Sequence, residues 1–338
     1  MATCQRLIDE GLTPAQMRSA RRDLIDKIED LTGRPLIVYA TAFLNHPEVR
    51  SSLDDSDLEG FSDLVEDLPG HVLDVLLHCP GGSIESAERI CRLLRSRFTD
   101  IRYVVPHTAY SAATLLALSG NQILLDDRSA LGPIDPQILI MSGGAWHYVP
   151  TRAILQSFET VRKILKQEGL DALPVFLPML SKYELHIFET CKNAEKLSQT
   201  LAREWLDRYM FSEDRDRVQS VNRIVKALSD HRANVSDHRP LGIDQLIGLG
   251  LSIVDLRSVP DLRRAFWELS CRLEHLFEVA NIAKFFENRE TVSWGRFFQQ
   301  PEQQETSHPM REDMPATASP APPDTHDEPS PPVGQQDH

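Results

Sequence analysis

Two short motifs of this sequence combine residue types that could supply a nucleophile and stabilise the anion it creates. The first, Pro-Gly-Gly-Ser at 80–83, follows the apolar run 72–77, and its glycines Gly81 and Gly82 let backbone N–H groups approach a substrate closely. The second, at 109–114, follows the apolar run 101–105 and presents the Ser111 hydroxyl where a helix is predicted to begin. Helix N-termini favour anionic species. Together the motifs predict an oxyanion hole that faces a serine.

Predicted strands and helices alternate around these motifs. The sequence predicts helices over 14–33, 54–67 and 112–119 and one that begins at residue 84, together with strands over 36–44, 72–78, 101–105 and 122–125. This βαβαβ order implies an α/β fold with parallel strands and right-handed crossovers. Beyond residue 150 the pattern is mainly helical, including 182–210 and 243–249, and a strand at 251–254 is predicted to return to the sheet.

These patterns divide the 338 residues into four predicted regions. They are an N-terminal helical segment (1–33), a catalytic core (34–149), a helical extension with a late strand (150–290) and a tail (291–338). The tail is predicted to be disordered, because residues 299–338 contain nine of the 22 prolines and few side chains that could be buried.

Composition excludes several classes of protein. The formal charge of −14 argues against nucleic-acid binding, although eight acidic residues and one arginine within residues 299–338 account for half of it. Five scattered cysteines without Cys-x-x-Cys or Cys/His spacing disfavour a disulfide framework and a zinc site, which favours a reducing cytoplasm. No apolar run approaches the roughly 18 residues of a membrane-spanning helix, and the polar N-terminus does not resemble a signal peptide.

Three segments carry a resemblance to a known family: Pro80-Gly81-Gly82, residues 111–118 and residues 129–137 (Ser-Ala-Leu-Gly-Pro-Ile-Asp-Pro-Gln). In this order they resemble the serine dehydrogenase proteinase family of the Clp/crotonase superfamily. Weaker similarity continues at 177–183, 205–211 and 238–251, so that the resemblance extends over roughly 35–255. The resemblance implies stacked ββα units with a mostly parallel sheet, hydrolysis of peptide bonds in a peptide or protein substrate, and assembly into homo-oligomers. It implies no cofactor and no metal.

The resemblance also implies roles for individual residues. Ser111 is the expected nucleophile, and the backbone N–H groups of Gly82 and Ala112 are expected to bind the oxyanion. Gly81 supports this arrangement.

The general base is ambiguous. Clp relatives have a histidine at about the position of Asp135, but a carboxylate of ordinary pKa, near ~4, is a poor base for an alcohol, and Asp135 also fits a turn-capping role. Relatives of signal peptide peptidase A use a downstream lysine. Lys182 is favoured over Lys163 and Lys166 because its segment matches the family, whereas those two lie on a helix that is predicted to face solvent. A lysine would need burial to be neutral near pH 7. The histidines His107 and His238 are further candidates.

Three functions remain open at this stage. The leading hypothesis is a cytoplasmic serine peptidase. The second is a catalytically inactive relative that serves as an oligomeric interaction protein, because no Ser/His/Asp set is evident. The third is a crotonase-like acyl-CoA enzyme, although no basic patch for the phosphates of coenzyme A is evident.

Overall fold

A seven-stranded sheet forms the centre of the molecule in a computed structural model, which describes residues 3–142, 145–181, 186–229, 240–290 and 293–298. The strand order is β10-β5-β3-β2-β1-β11-β12. The strands are β1 (Leu36–Thr41), β2 (Val72–His78), β3 (Asp100–Val104), β5 (Gln122–Leu125), β10 (Ile253–Asp255), β11 (Ile282–Asn288) and β12 (Ser293–Phe297). All neighbours from β10 to β1 pair in parallel, and β11 and β12 add antiparallel pairs at one side. The predicted α/β class with a mostly parallel sheet is confirmed.

Helices cover both faces of this sheet. Their bounds are α1 (Thr3–Asp9), α2 (Pro14–Thr32), α3 (Asp57–Val65), α4 (Ile84–Arg97), α5 (Ala112–Leu118), α6 (Thr151–Glu168), α7 (Leu173–Leu180), α8 (Ile187–Trp205), α9 (Arg217–Ser229), α10 (Ile243–Leu249) and α11 (Pro260–Val279). One buried apolar cluster joins the sheet to α3, α4, α5 and α8–α10, and a second joins the opposite face to α2 and α11. No helix among the described residues is both long and apolar enough to cross a membrane.

Local sequence explains the helix ends that matter for the site. Ser83 caps α4 by accepting a hydrogen bond from the N–H of Ser86, as serine does before a helix. Gly250 ends α10 in the left-handed conformation that glycine adopts without strain. The predicted long helix over 182–210 is observed as α8 followed by one π-helical turn (Leu206–Met210), and residues 182–185 lie outside the described residues.

Smaller β-structures lie near the carboxyl ends of the parallel strands. Strands β4 (Thr108–Ala109), β6 (Ala130–Leu131) and β9 (Leu241–Gly242) form one sheet, and β7 (Gln137–Ser142) and β8 (Ala145–Pro150) form a hairpin. Because β4 ends two residues before Ser111 and β6 begins the 129–137 segment, the small sheet holds two family motifs side by side.

Three features of the fold differ from the sequence expectations. The strand β11 was not predicted, yet it extends the larger sheet by pairing antiparallel with β1. A disulfide joins Cys4 to Cys271 and links α1 to α11, although the scattered spacing of the cysteines disfavoured disulfides. Their separation of 267 residues leaves no local spacing that could reveal the bond. Residues 293–297 were predicted to belong to the disordered tail, but they form β12. The tail from residue 299 onward lies outside the described residues, as do 291 and 292.

Candidate active site

The two glycines and the serine singled out by the sequence lie next to each other. Gly81 has φ of 91°, in a region that favours glycine, and an added Cβ would lie 2.4 Å from the carbonyl oxygen of Tyr110 and 2.8 Å from Cβ of Ser111. The contact is supported by a hydrogen bond from the N–H of Tyr110 to the carbonyl of Cys79 at 3.1 Å. Two segments that are thirty positions apart therefore pack backbone against backbone, with no room for a side chain at position 81.

Ser111 occupies a strained turn between β4 and α5. Its φ of 51° and ψ of −119° make it the only non-glycine residue with positive φ in the part of the chain that the structure describes. Such a conformation costs on the order of 1–3 kcal/mol and is found most often at functional sites. A nucleophilic serine on a sharp strand-to-helix turn has the same character. The residue is 7% exposed, so the turn does not carry its hydroxyl far into solvent.

The Ser111 side chain has one hydrogen-bond partner among the described residues. Its hydroxyl donates to the main-chain carbonyl of Asp135 at 2.8 Å, and its N–H donates to the carbonyl of Pro133 at 3.1 Å. The segment 133–135 is thus attached to the serine at two points. The hydroxyl proton is directed at a carbonyl, which can accept a hydrogen bond but cannot act as a general base.

The amides of Gly82 and Ala112 are the two that the sequence selected for an oxyanion. Both residues are buried, and within the described ranges neither N–H donates to a protein acceptor. For Ala112 this follows from its place at the start of α5, where N–H groups have no intrahelical partner. For Gly82 it follows from the pairing with Leu53, whose own N–H and carbonyl bind Gly81 and Ser83 at 2.7 and 2.9 Å.

The candidate bases separate into groups. Lys182 and His238 lie outside the described residues. Lys163 and Lys166 are exposed on α6, so they lack the burial that a neutral lysine requires. His107 has a pKa lowered by burial, and its ring lies 5.6 Å from that of His78 and 3.4 Å from the Thr108 hydroxyl rather than against Ser111.

Asp135 contributes its backbone, not its carboxylate, to the contact with Ser111. The carboxylate lies 3.5 Å from the Thr151 hydroxyl, which donates to it. Asp135 also lines a small cleft, whose other walls include Ile134, Pro136, Arg152, Glu195, Gln199 and Ser229. Arg152 belongs to no motif and carries no sequence signal. Among the described residues no group of three or more histidine, cysteine or acidic side chains could hold a metal ion.

A comparison with protein families finds a match for the segment that contains the glycine loop (residues 80–83) and Ser111. Residues 52–164 match the family model described as a ClpP-like SDH-type serine proteinase. The resemblance expected from the sequence is therefore confirmed over this segment. Gly81, Gly82, Ser111, Ala112 and Asp135 lie inside the matched segment, whereas Lys182 and His238 lie beyond it.

Two curated relatives come from Methanocaldococcus jannaschii. The uncharacterized protein MJ0137 is 39% identical over 66 residues, which cover 20% of this chain and 23% of that protein. The uncharacterized protein MJ1495 is 27% identical over 128 residues, 38% of this chain and 40% of that protein. The matches thus span less than half of either relative.

Solved structures of low sequence identity also align. The 1510-N membrane-bound stomatin-specific protease is 13% identical with a TM-score of 0.37, and the alignment covers 63% of this chain and 79% of that one. The ClpP protease catalytic domain from Plasmodium falciparum is 12% identical with a TM-score of 0.33, over 60% and 81% of the two chains.

Proposed function

We propose that this protein is a serine peptidase in which Ser111 attacks the carbonyl of a peptide bond. The chain has a segment of a serine proteinase family, and that family supports a hydrolase in general. The observation that carries the finer proposal is the packing of Gly81 against Ser111, which brings a strained serine together with two open amides. The proposed substrate is a peptide or protein, and the proposed reaction needs no metal and no cofactor.

The N–H groups of Gly82 and Ala112 stabilise the oxyanion in this proposal. When Ser111 adds to the carbonyl, negative charge moves to the carbonyl oxygen. Preorganised N–H donors bind this charge more strongly in the transition state than the neutral oxygen of the substrate. One such donor contributes a factor of about 10²–10³ to kcat. Amides that already lack protein acceptors do not have to break a hydrogen bond before they act.

The proton of the Ser111 hydroxyl must leave the carbonyl of Asp135 to reach a base. A rotation of the hydroxyl, or a base that enters when substrate binds, achieves this. We retain Lys182 as the proposed base and His238 as the alternative. A lysine in this role has to be desolvated so that its amine is neutral near pH 7. Substitution of each residue, read as the pH dependence of kcat/KM, decides between them.

Assembly into a homo-oligomer and location in the cytoplasm also belong to this proposal. Clp-like relatives support assembly, and sedimentation of the full chain measures it. The disulfide between Cys4 and Cys271 opposes a reducing compartment, because disulfides are rare in the cytosol. Alkylation of free thiols immediately after cell lysis, followed by mass spectrometry, tests the location: both cysteines alkylated supports the cytoplasm, and both protected contradicts it.

A serine-directed fluorophosphonate probe tests the proposed nucleophile. We expect an adduct on Ser111 and cleavage of labelled casein that is lost in Ser111→Ala. Ser157→Ala is the matched control, since Ser157 is an exposed serine on α6 whose hydroxyl donates only to its own helix. Unchanged cleavage in Ser111→Ala, or an adduct elsewhere, would overturn the proposal.

A catalytically inactive interaction protein is the second candidate, and one observation favours it. Within the described residues no titratable side chain forms a hydrogen bond with the Ser111 hydroxyl. This candidate predicts no fluorophosphonate adduct at any pH and no cleavage by the assembled protein. The peptidase proposal predicts both an adduct and cleavage, so the same experiment separates the two candidates.

A further inference from the structure

A buried group of charges lies behind the glycine loop. Lys284 on β11 is 2% exposed, and its Nζ lies 2.9 Å from both carboxylate oxygens of Asp57 and 3.2 Å from Oδ2 of Asp54. Asp57 is fully buried. Burying charges is costly, and removing one partner of a buried pair leaves the other uncompensated. These paired charges therefore restrain the backbone of the residues to which they belong.

The backbone fixed by these charges is the turn on which the glycine loop rests. The N–H of Asp54 donates to Oδ2 of Asp57 at 2.8 Å. The preceding residue, Leu53, donates its N–H to the carbonyl of Gly81 at 2.7 Å and accepts from the N–H of Ser83 at 2.9 Å. An added Cβ at Gly82 would lie 2.1 Å from the Leu53 carbonyl oxygen. A shift of this turn therefore has to move Gly82.

A second connection runs through the core to the same loop. The Tyr39 hydroxyl donates to Oδ2 of Asp57 at 3.0 Å, and the Cys79 thiol lies 3.9 Å from the same hydroxyl. The N–H of Gly81 donates to the Cys79 sulfur at 3.4 Å. Burial raises the pKa of the Cys79 thiol to about 12, so this sulfur remains a thiol and serves as a neutral contact. Two routes thus lead from Asp57 to the glycine loop.

We infer that Lys284 and Asp57 are positioning residues, which hold the Gly82 amide where its N–H can donate a hydrogen bond to the oxyanion next to Ser111. The inference rests on the proposed peptidase function. Neither side chain touches substrate. An amide that is displaced by a fraction of an ångström binds the transition state less well, while contacts to the ground-state substrate elsewhere are unchanged. Loss of the pair should consequently lower kcat and leave KM nearly unchanged.

The molecule provides a matched control on the same strand. Glu287 is fully buried on β11 and accepts from Nε of Arg21 at 2.8 Å, and Arg21 is 4% exposed. Among the described residues Arg21 donates only to Glu287 and to the carbonyl of Met17, so it makes no hydrogen bond to residues 53–57 or to the glycine loop. Breaking it costs stability of a similar order, so Arg21→Met reports the effect of a lost buried charge alone.

The experiment compares Lys284→Met with Arg21→Met in the full chain, below the unfolding temperature of both variants. We expect kcat for casein cleavage to fall about tenfold or more in Lys284→Met with KM within about twofold, and the fluorophosphonate to label Ser111 correspondingly more slowly. Lys284→Arg should restore part of the rate. Arg21→Met should lower the unfolding temperature and retain the wild-type kcat.

A milder variant covers the case in which Lys284→Met does not fold. Tyr39→Phe removes one hydroxyl from the second route without adding volume, and we expect a drop of about threefold in kcat. Wild-type kcat in folded Lys284→Met and in Tyr39→Phe, or an equal loss in Arg21→Met, would overturn the inference. Failure of the peptidase proposal looks different, because either the wild type would then not cleave casein or Ser111→Ala would cleave it as well as the wild type does.

Discussion

The amino ends of β2 and β3 differ from the segments that follow their carboxyl ends in how their polar groups are satisfied. At the amino edge Arg34 donates to Asp74 at 2.8 Å and to Asp100 at 2.7 Å, and Arg102 donates to the second oxygen of Asp74 at 2.6 Å. Beyond the carboxyl ends of the same two strands, Gly82 and Ala112 have amides that donate to no acceptor among the described residues, and Ser111 has a strained backbone. The amino ends of β2 and β3 therefore pair opposite charges, whereas the segments that follow these strands leave donors open.

This difference indicates which edge is available for chemistry. Ligands of open parallel sheets bind at the carboxyl ends of the strands. Arginine and aspartate side chains that already pair with each other would have to break that pairing to bind a ligand. Open amides can donate to an anion without first breaking a hydrogen bond. We therefore expect substitutions at these ion pairs of the amino edge to change stability, and substitutions of the open amides beyond the carboxyl ends to change activity.

The largest expected effect is at the amino edge. Asp74→Leu should lower the free energy of unfolding by about 3–5 kcal/mol, because two guanidinium groups lose their buried partner. Urea denaturation measures this. Asp100→Asn is the control and should cost less than about 1 kcal/mol, since Asp100 is half exposed. If folded Asp74→Leu lost casein cleavage, the separation between the edges would fail.

Gly82→Ala tests the carboxyl edge. The new Cβ would collide with the Leu53 carbonyl, at a φ of 152° that side chains rarely adopt, so kcat/KM for casein should fall by about 10²-fold. Gly33→Ala is the control: φ there is 66°, and no atom lies within 4 Å of the added Cβ. The control should lose stability and keep its activity. Equal activities in the two variants would contradict the assigned role of Gly82.

A pH effect is expected from His78, which ends β2 at the carboxyl edge. Burial and the neighbouring His107 lower the pKa of His78 to about 3. Between that value and the unfolded pKa near 6.5 the unfolded chain binds a proton that the native state does not, so this histidine makes stability rise with pH.

The variant His78→Gln removes this dependence. Between pH 7 and pH 5 the wild type should lose about 1–2 kcal/mol more of its unfolding free energy than the variant does. The comparison is needed because burial also raises the pKa of Glu274, whose carboxylate lies 3.4 Å from His78 and adds a slope of the opposite sign. Parallel pH profiles of wild type and variant would refute the assignment.

The smallest expected effect concerns the strain at Ser111. Glycine adopts φ of 51° and ψ of −119° without steric cost, whereas alanine retains the cost. Ser111→Gly should therefore be more stable to urea than Ser111→Ala by about 1 kcal/mol, although both lack the hydroxyl. An alanine variant as stable as the glycine variant would show that the turn is not strained.

Much of the fold around the motifs was predictable because its signals are local. Apolar runs, capping residues and glycines identified β2, α4, α5 and β5 within a few residues. The strand β11 was not predictable in this way, since Lys284 and Glu287 interrupt its apolar pattern although both are buried. Their partners are distant in sequence, 227 residues away in the case of Asp57, and only the folded chain brings them together.

The candidate site was predictable to a similar extent. Family motifs located Gly81, Gly82, Ser111 and Ala112, whose proximity the structure describes. The contact between Ser111 and the Asp135 carbonyl carries no sequence signal, because a backbone acceptor can belong to any residue type. For the same reason the turn at residue 53 was not foreseen as the support of the glycine loop.

The most direct test of the central claim is a crystal structure of the protein after reaction with a fluorophosphonate. The account predicts a covalent bond from Oγ of Ser111 to phosphorus, with one phosphoryl oxygen about 2.7–3.1 Å from the backbone nitrogens of both Gly82 and Ala112. A phosphoryl oxygen that points away from both amides, or an adduct on another residue, would contradict it.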